Sequence, residues 1–171
     1  MTEINFNSKI QPCIIFNNCA EEAINAYVNL FPKSGIEMLM YWEQQADYQW
    51  KDNTSFASNK VRFAGFSLCG LNIMAFDSPG FAPTDTISFF VHCRDQAEVD
   101  KYYDFFAAEG TAKPCGWVTD KWGVSWQIVP LRFNEMMRDE NPKKVKAVLD
   151  AMLSMHKFDI AGLEQAYAGV E

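Results

Sequence analysis

Residues 115–130 read CGWVTDKWGVSWQIVP. A turn, a Trp-Gly step and an apolar strand closed by Pro130 are packed into one block. The block echoes residues 69–77, CGLNIMAFD. With Gly123 laid on Gly70, Val124 falls on Leu71, Ser125 on Asn72, Trp126 on Ile73, Gln127 on Met74 and Ile128 on Ala75. A glycine followed by an alternating apolar strand, used twice, implies a chain built from two copies of one unit. Paired units would create a shared cavity, which is where function is to be sought.

The repeat can be followed to its other end. IIFNNCAEEAINAYVNLF (residues 14–31) matches FFVHCRDQAEVDKYYDFF (residues 89–106) as apolar run, polar turn and helical pattern. Asn18 and Glu21 stand at N-cap and N3 spacing, as do Asp95 and Glu98. The first helix, Asn18–Phe31, is expected to bury Ala20, Ala23, Ile24, Tyr27, Val28 and Phe31. The second is expected to bury Val99, Tyr102, Tyr103 and Phe106, with the same 3,4 spacing. Gly35 and Gly110 close the two helices in comparable places.

Strands are expected at 10–16, 36–42, 61–68 and 71–76, with a hairpin turning at Cys69-Gly70. SPGFAPTD, residues 78–85, reads as a linker. The pattern then restarts, with strands at 86–92, 111–117 and 123–129 and a turn at 118–121. The order β-α-β-β-β, twice, gives an α+β fold. The chain reads as a single domain with a first βαβββ module at 9–77, a second at 86–130 and C-terminal helices at 131–171. In the tail, Asn141-Pro142 starts one helix, with an apolar stripe of Val145, Val148, Leu149, Met152 and Leu153. Asp159 starts the last helix, with Ile160, Leu163, Ala166 and Tyr167. The 17 residues at 43–59, EQQADYQWKDNTSFASN, exceed a tight hairpin. They read either as a surface loop pinned by its aromatics or as a lid carrying Tyr48, Trp50 and Phe56.

Composition excludes several classes. The chain has 171 residues, 49% of them hydrophobic, with 14 Phe and 5 Trp, enough for a core and a lined pocket. The net charge of −7 is the wrong sign for nucleic-acid backbone binding. No apolar run approaches the ~20 residues of a membrane span, and the first residues hold no apolar signal core. Five cysteines without metal-site spacing suit a reducing, cytoplasmic setting.

The segments FNNCAEEAINAYVNLFPKS, TISFFVHCRDQAEVDKYYDFF, CGWVTDKWGVSWQIVP and DIAGLEQAYAG together resemble the PhnB-like branch of the vicinal-oxygen-chelate (glyoxalase/bleomycin-resistance) superfamily. Many of its members carry the description 3-demethylubiquinone-9 3-methyltransferase. The resemblance implies two βαβββ modules, each curling a sheet around a cavity, within a homodimer. Metal-dependent relatives place His, Glu or Gln on the first and last strands of each module. The corresponding places here are Gln11, Met74, Thr86 and Gln127, and the repeat pairs Gln11 with Thr86 and Met74 with Gln127. Two neutral amides, a hydroxyl and a thioether make a poor site for a hard or borderline cation. No metal and no cofactor is therefore expected. No G-x-G turn follows the first strand, so nothing supports S-adenosylmethionine binding on a doubly wound sheet.

His92 and His156 are expected at solvent-facing ends. Cys13, Cys69 and Cys115 read as small filler. Asp120-Lys121 reads as a solvated turn pair, or with Lys121 meeting an anion. The functional expectation is a metal-free module holding a small organic ligand among Gln11, Cys13, Ile15, Met74, Phe76, Thr86, Ser88, Phe90, Ser125 and Gln127. The alternative is an enzyme of the same superfamily, a lyase, isomerase or dioxygenase, or the methyl transfer of the family description. Strand alternation sends Trp126 and Ile128 toward the helices and Gln127 into the hollow of the sheet.

Overall fold

The computed structural model describes residues 9–42, 60–81 and 84–170. The expected lid residues Tyr48, Trp50 and Phe56 lie outside the described residues. The chain divides into two compact units, residues 1–82 and 83–171.

In the first unit β1 (Cys13–Phe16) leads into α1 (Ala20–Leu30), followed by β2 (Gly35–Tyr41), β3 (Val61–Leu68) and β4 (Leu71–Asp77). The sheet order is β1-β4-β3-β2, with β1 parallel to β4 and the other pairs antiparallel. The β3–β4 hairpin turns where expected. Cys69 and Gly70 both have positive φ, 49° and 88°, as the favoured two-residue hairpin turn requires. Ala20, Ala23, Ile24, Tyr27 and Phe31 are buried against Ala64, Phe66, Ile73 and Ala75. Val28, expected in that stripe, is half-buried.

The second unit repeats this topology. β5 (Phe89–Cys93), α2 (Gln96–Ala107), β6 (Thr111–Ala112), β7 (Trp117–Thr119) and β8 (Ser125–Pro130) form a sheet of order β5-β8-β7-β6, with β5 parallel to β8. The fold is α+β, two βαβββ modules followed by helices. On the helical face Trp126 stacks on Phe106 at 4.5 Å and 12°. Where one strand is expected at 111–117, residues 111–119 form two short strands joined by a turn. That turn passes through Cys115 and Gly116 at φ 61° and 78°. Val118, placed in a turn by sequence, lies in β7 and is fully buried.

The expected cap of the first helix differs. Asn18 has φ 62°, Cys19 takes the N-cap position, and no side chain of that position caps the helix. The acceptor comes from the end of β4, where Asp77 Oδ1 accepts from Ala20 N at 2.9 Å and Oδ2 from Val61 N at 2.8 Å. In the second module the local cap forms as expected, Asp95 accepting from Glu98 N at 2.9 Å.

The tail folds as α3 (Leu131–Met136), α4 (Pro142–Leu153) and α5 (Ile160–Ala168). Asn141 and Asp159 cap α4 and α5 through Lys143 N and Ala161 N. Val148 and Leu163 are fully buried, whereas Leu153, read as part of the stripe, is 65% exposed. The tail docks on its own unit through backbone bonds from Cys115 N to Met155 O (2.8 Å) and Gly116 N to His156 O (2.7 Å). The Gln96 amide adds two more, to Phe158 O and from Ile160 N, each at 3.0 Å. No helix among the described residues is long and apolar enough to cross a membrane.

Candidate functional site

Each sheet has one face on its own helix and one face turned away from it. The alternation around Gln127 sorts these faces as the sequence requires. Trp126 and Ile128 are buried on the helical side, and Gln127, half-buried, points the other way. Parallel pairing sets Phe90 beside Gln127, and antiparallel pairing sets Trp117 on its other flank. Gln127 Nε2 donates to Ser88 Oγ at 2.8 Å. Ser88, two residues before Phe90 on the neighbouring chain segment, is thus the partner of the Gln127 amide.

Thr86 lies before β5, exposed, and its hydroxyl accepts from Thr84 Oγ1 at 2.9 Å. Strand register also corrects the repeat. Cys13 pairs with Met74 and Phe90 with Gln127, so Cys13 is equivalent to Phe90 and Gln11 to Ser88, not to Thr86. The Met74–Gln127 equivalence stands.

The open face of the first sheet is apolar and rich in sulfur. Cys13, Met74, Gly65 and Met38 form one row across four strands. A Cβ on Gly65 would lie 3.9 Å from Met74 Sδ and 4.0 Å from Met38 Cε, so the glycine leaves room where the two side chains converge. Ile15 and Phe76 pair in the next row, and Phe63 pairs with Met40. Phe63 remains 39% exposed. Burial raises the Cys13 thiol above its ordinary pKa, which keeps it protonated and poorly nucleophilic at neutral pH.

The open face of the second sheet is polar. Ser125, buried, donates to Asp85 Oδ1 at 2.6 Å and stands 3.3 Å from Thr119 Oγ1. Lys113 Nζ reaches both Asp85 oxygens at 2.7 and 2.6 Å. The Lys113 ammonium and the Ser125 hydroxyl hold the Asp85 carboxyl below its usual range. Phe90 is exposed on this face, its ring 5.0 Å from that of His92, and Asn134 of α3 lies 3.3 Å from His92 Nδ1. Sequence reading missed Lys113 and Asp85. The only signal was a lysine just before a two-residue turn and an acid closing a linker.

Asp120 also departs from expectation. It is buried, not solvated, with Oδ1 accepting from Trp122 N and Val124 N at 2.9 Å each and Oδ2 from Trp126 Nε1 at 2.8 Å. Its role is to fix the β7–β8 turn. Lys121 pairs with Glu109 at 3.2 Å.

Among the described residues no three His, Cys, Asp or Glu side chains group as metal ligands. The places that the resemblance assigns to metal ligands hold Gln11 and Met74 in the first unit and, by strand register, Ser88 and Gln127 in the second; amide, thioether and hydroxyl groups are poor ligands for a divalent cation. A polar cleft of about 350 Å³ opens at the N-terminus of α1, lined by Asn18, Glu21, Glu22, Lys60 and Asp77. Its chemistry is already engaged: Asp77 caps α1, and Lys60 Nζ donates to Asn18 O at 2.8 Å.

Residues 8–129 match the family model of 3-demethylubiquinone-9 3-methyltransferase. The chain belongs to this family. Among solved structures it is similar to a putative 3-demethylubiquinone-9 3-methyltransferase, a PhnB protein, from Bacillus cereus. The identity is 29% over 72% of this chain and 99% of that one, with a TM-score of 0.62. A protein from Pseudomonas aeruginosa shares the fold at 20% identity and TM-score 0.57, over 72% of this chain and 97% of that one. A fosfomycin resistance protein from Listeria monocytogenes, solved with Mn(II) and 1S,2S-dihydroxypropylphosphonic acid, matches at 13% identity and TM-score 0.47, over 68% of this chain and 86% of that one. No curated protein matches the chain. The family match stops within β8, so helices α3–α5 lie beyond it.

Proposed function

We propose that this member of the family is a metal-free binding protein for a small organic molecule, held against the open face of its second sheet. The observation that carries the reading is Gln127. Its amide is half-buried on the face turned away from α2, one donor is fixed by Ser88, and no hydrogen bond to its oxygen is formed among the described residues. That oxygen is not among the buried polar atoms that lack a partner, so solvent reaches it, and a donor on an incoming molecule takes the place of water there. Apolar walls with a few fixed polar groups are the usual composition of small-molecule sites. On the second sheet Phe90 supplies the apolar part and Ser88, Ser125 and Gln127 the polar groups; on the first sheet Cys13, Met74 and Phe76 make the open face apolar. Thr86, off the strand, is the weakest member of the set.

The donor chemistry supports the metal-free assignment, and the sheet topology gives no support to a doubly wound nucleotide-binding site. Exposed Phe63, Met40 and Phe90 favour a homodimer that shelters sheet surface. Free thiols at all five cysteines favour the cytoplasm. Native mass spectrometry of purified protein tests the reading, with elemental analysis of the same sample. The expected result is a dimer carrying a stoichiometric small organic molecule and no stoichiometric divalent ion. A stoichiometric ion without an organic molecule would replace this reading with the enzyme reading.

A further inference from the structure

We propose that Lys113, Thr119 and Ser125 form a cradle for a carboxylate group, occupied in this structure by the chain's own Asp85, and that an acidic group on the ligand displaces it. The inference rests on the reading that this face of the second sheet binds a ligand, and it names the ligand's class.

The cradle and its occupant differ in how they are held. Thr119 and Ser125 are paired residues of neighbouring strands, β7 and β8. Lys113 follows β6, its backbone N–H bonded to Trp117 O at 2.9 Å. All three are therefore anchored in the sheet or its hairpin. Asp85 belongs to neither a helix nor a strand, and its side chain is 55% exposed. Its carboxylate takes an ammonium on both oxygens and a hydroxyl on one. Such a donor set is what a carboxylate from another molecule would need. The lowered pKa of Asp85 keeps an anion in the cradle at neutral pH.

Exposed ion pairs of this kind contribute little net stability, so displacement is not forbidden. As a tethered group, however, Asp85 competes at high effective concentration and sets a threshold that a weak or non-specific anion does not cross. Ser88 and Gln127 continue the same polar face from Ser125, so a ligand whose acid enters the cradle meets a neutral hydrogen-bonding pair next.

The test titrates full-length Asp85→Ala and wild type with sodium acetate at constant ionic strength, reading the amide resonances of Thr119 and Ser125. Asp85→Ala is expected to bind acetate at least tenfold more tightly than wild type, and adding Lys113→Met is expected to abolish the gain. A natively folded Asp85→Ala with no gain, or a gain that survives Lys113→Met, overturns the cradle. Tighter binding of inorganic phosphate than of acetate overturns the carboxylate assignment. Wild type supplies a measurement that needs no variant: a large excess of acetate should move the Asp85 carboxyl carbon resonance, and an unmoved resonance counts against displacement. The acetate probe is independent of any endogenous molecule. Absence of a co-purified ligand would sink the earlier reading without deciding this one.

Discussion

The two modules share a topology strand for strand but solve the same local problems with different chemistry. Helix α1 is capped by Asp77, 57 residues away in sequence, which also holds the start of β3. Helix α2 is capped by its own Asp95. Pairing registers put Phe16 opposite Asp77 and Cys93 opposite Pro130, so the second module has proline where the first has its capping acid. The open faces diverge in the same way, sulfur and aromatic carbon on one, hydroxyl, amide and an ion pair on the other. Backbone pairing tolerates this drift because the sheet asks only for alternation. Side chains facing away from the helix were free to specialise.

The comparison breaks most sharply at the two glycines after the helices. A Cβ on Gly110 would lie 2.3 Å from Thr119 O and 2.4 Å from Phe106 O, both backbone atoms, while Gly35 has nothing within 4 Å. Gly110→Ala is expected to destabilise by about 4 kcal/mol and Gly35→Ala to stay within about 0.5 kcal/mol, by urea unfolding followed with circular dichroism. Equal effects would mean that the two positions are not packed as described.

The capping acids come next. Asp77→Ala leaves two buried backbone N–H groups without acceptors and is expected to cost about 3 kcal/mol. Asp95→Ala removes one exposed cap and is expected to cost about 1 kcal/mol. The ratio sharpens the contrast between a cap reached across the fold and one supplied locally; a reversal would contradict it.

These examples also show what the sequence could reveal. Asp95, Asn141 and Asp159 were readable because a cap and its target lie within three residues. Asp77 was not, because nothing near it in sequence announces the helix it serves. The slip from Ser88 to Thr86 has a similar cause. The stretch from strand to helix is shorter in the second module: Cys13 and Phe90 are equivalent by strand register, a shift of 77, but the buried helix positions Ile24 and Val99 align with a shift of 75. Aligning the helices therefore misaligns the strands. Asn18, with its positive φ, lies in the longer connection. The error was even-numbered, so face assignments survived it. Gln127 was legible through alternation alone. The Asp85–Lys113 pair was not, since it joins a linker to a hairpin 28 residues on.

A smaller effect separates the tail from the module cores. Asp100 beside Lys157, Asp139 beside Tyr167 and Glu164 beside Arg132 all have lowered carboxyl pKa values. A depressed folded pKa contributes stability above the ordinary carboxylate range and loses it as pH falls through the lowered value. Acid titration below about pH 4 is expected to alter the tyrosine signal of Tyr167 before the far-ultraviolet signal of the modules collapses. One coincident transition would show that the tail has no separate acid lability.

The central claim is that the polar face of the second sheet, and Gln127 above all, orients a small molecule, while the equivalent Met74 offers apolar surface that another apolar side chain can replace. Native mass spectrometry of Gln127→Leu beside Met74→Leu tests it directly. The account predicts that Gln127→Leu loses the co-purifying molecule while its fold and assembly persist, and that Met74→Leu retains most of it. Equal retention in both variants, or loss only in Met74→Leu, would contradict it.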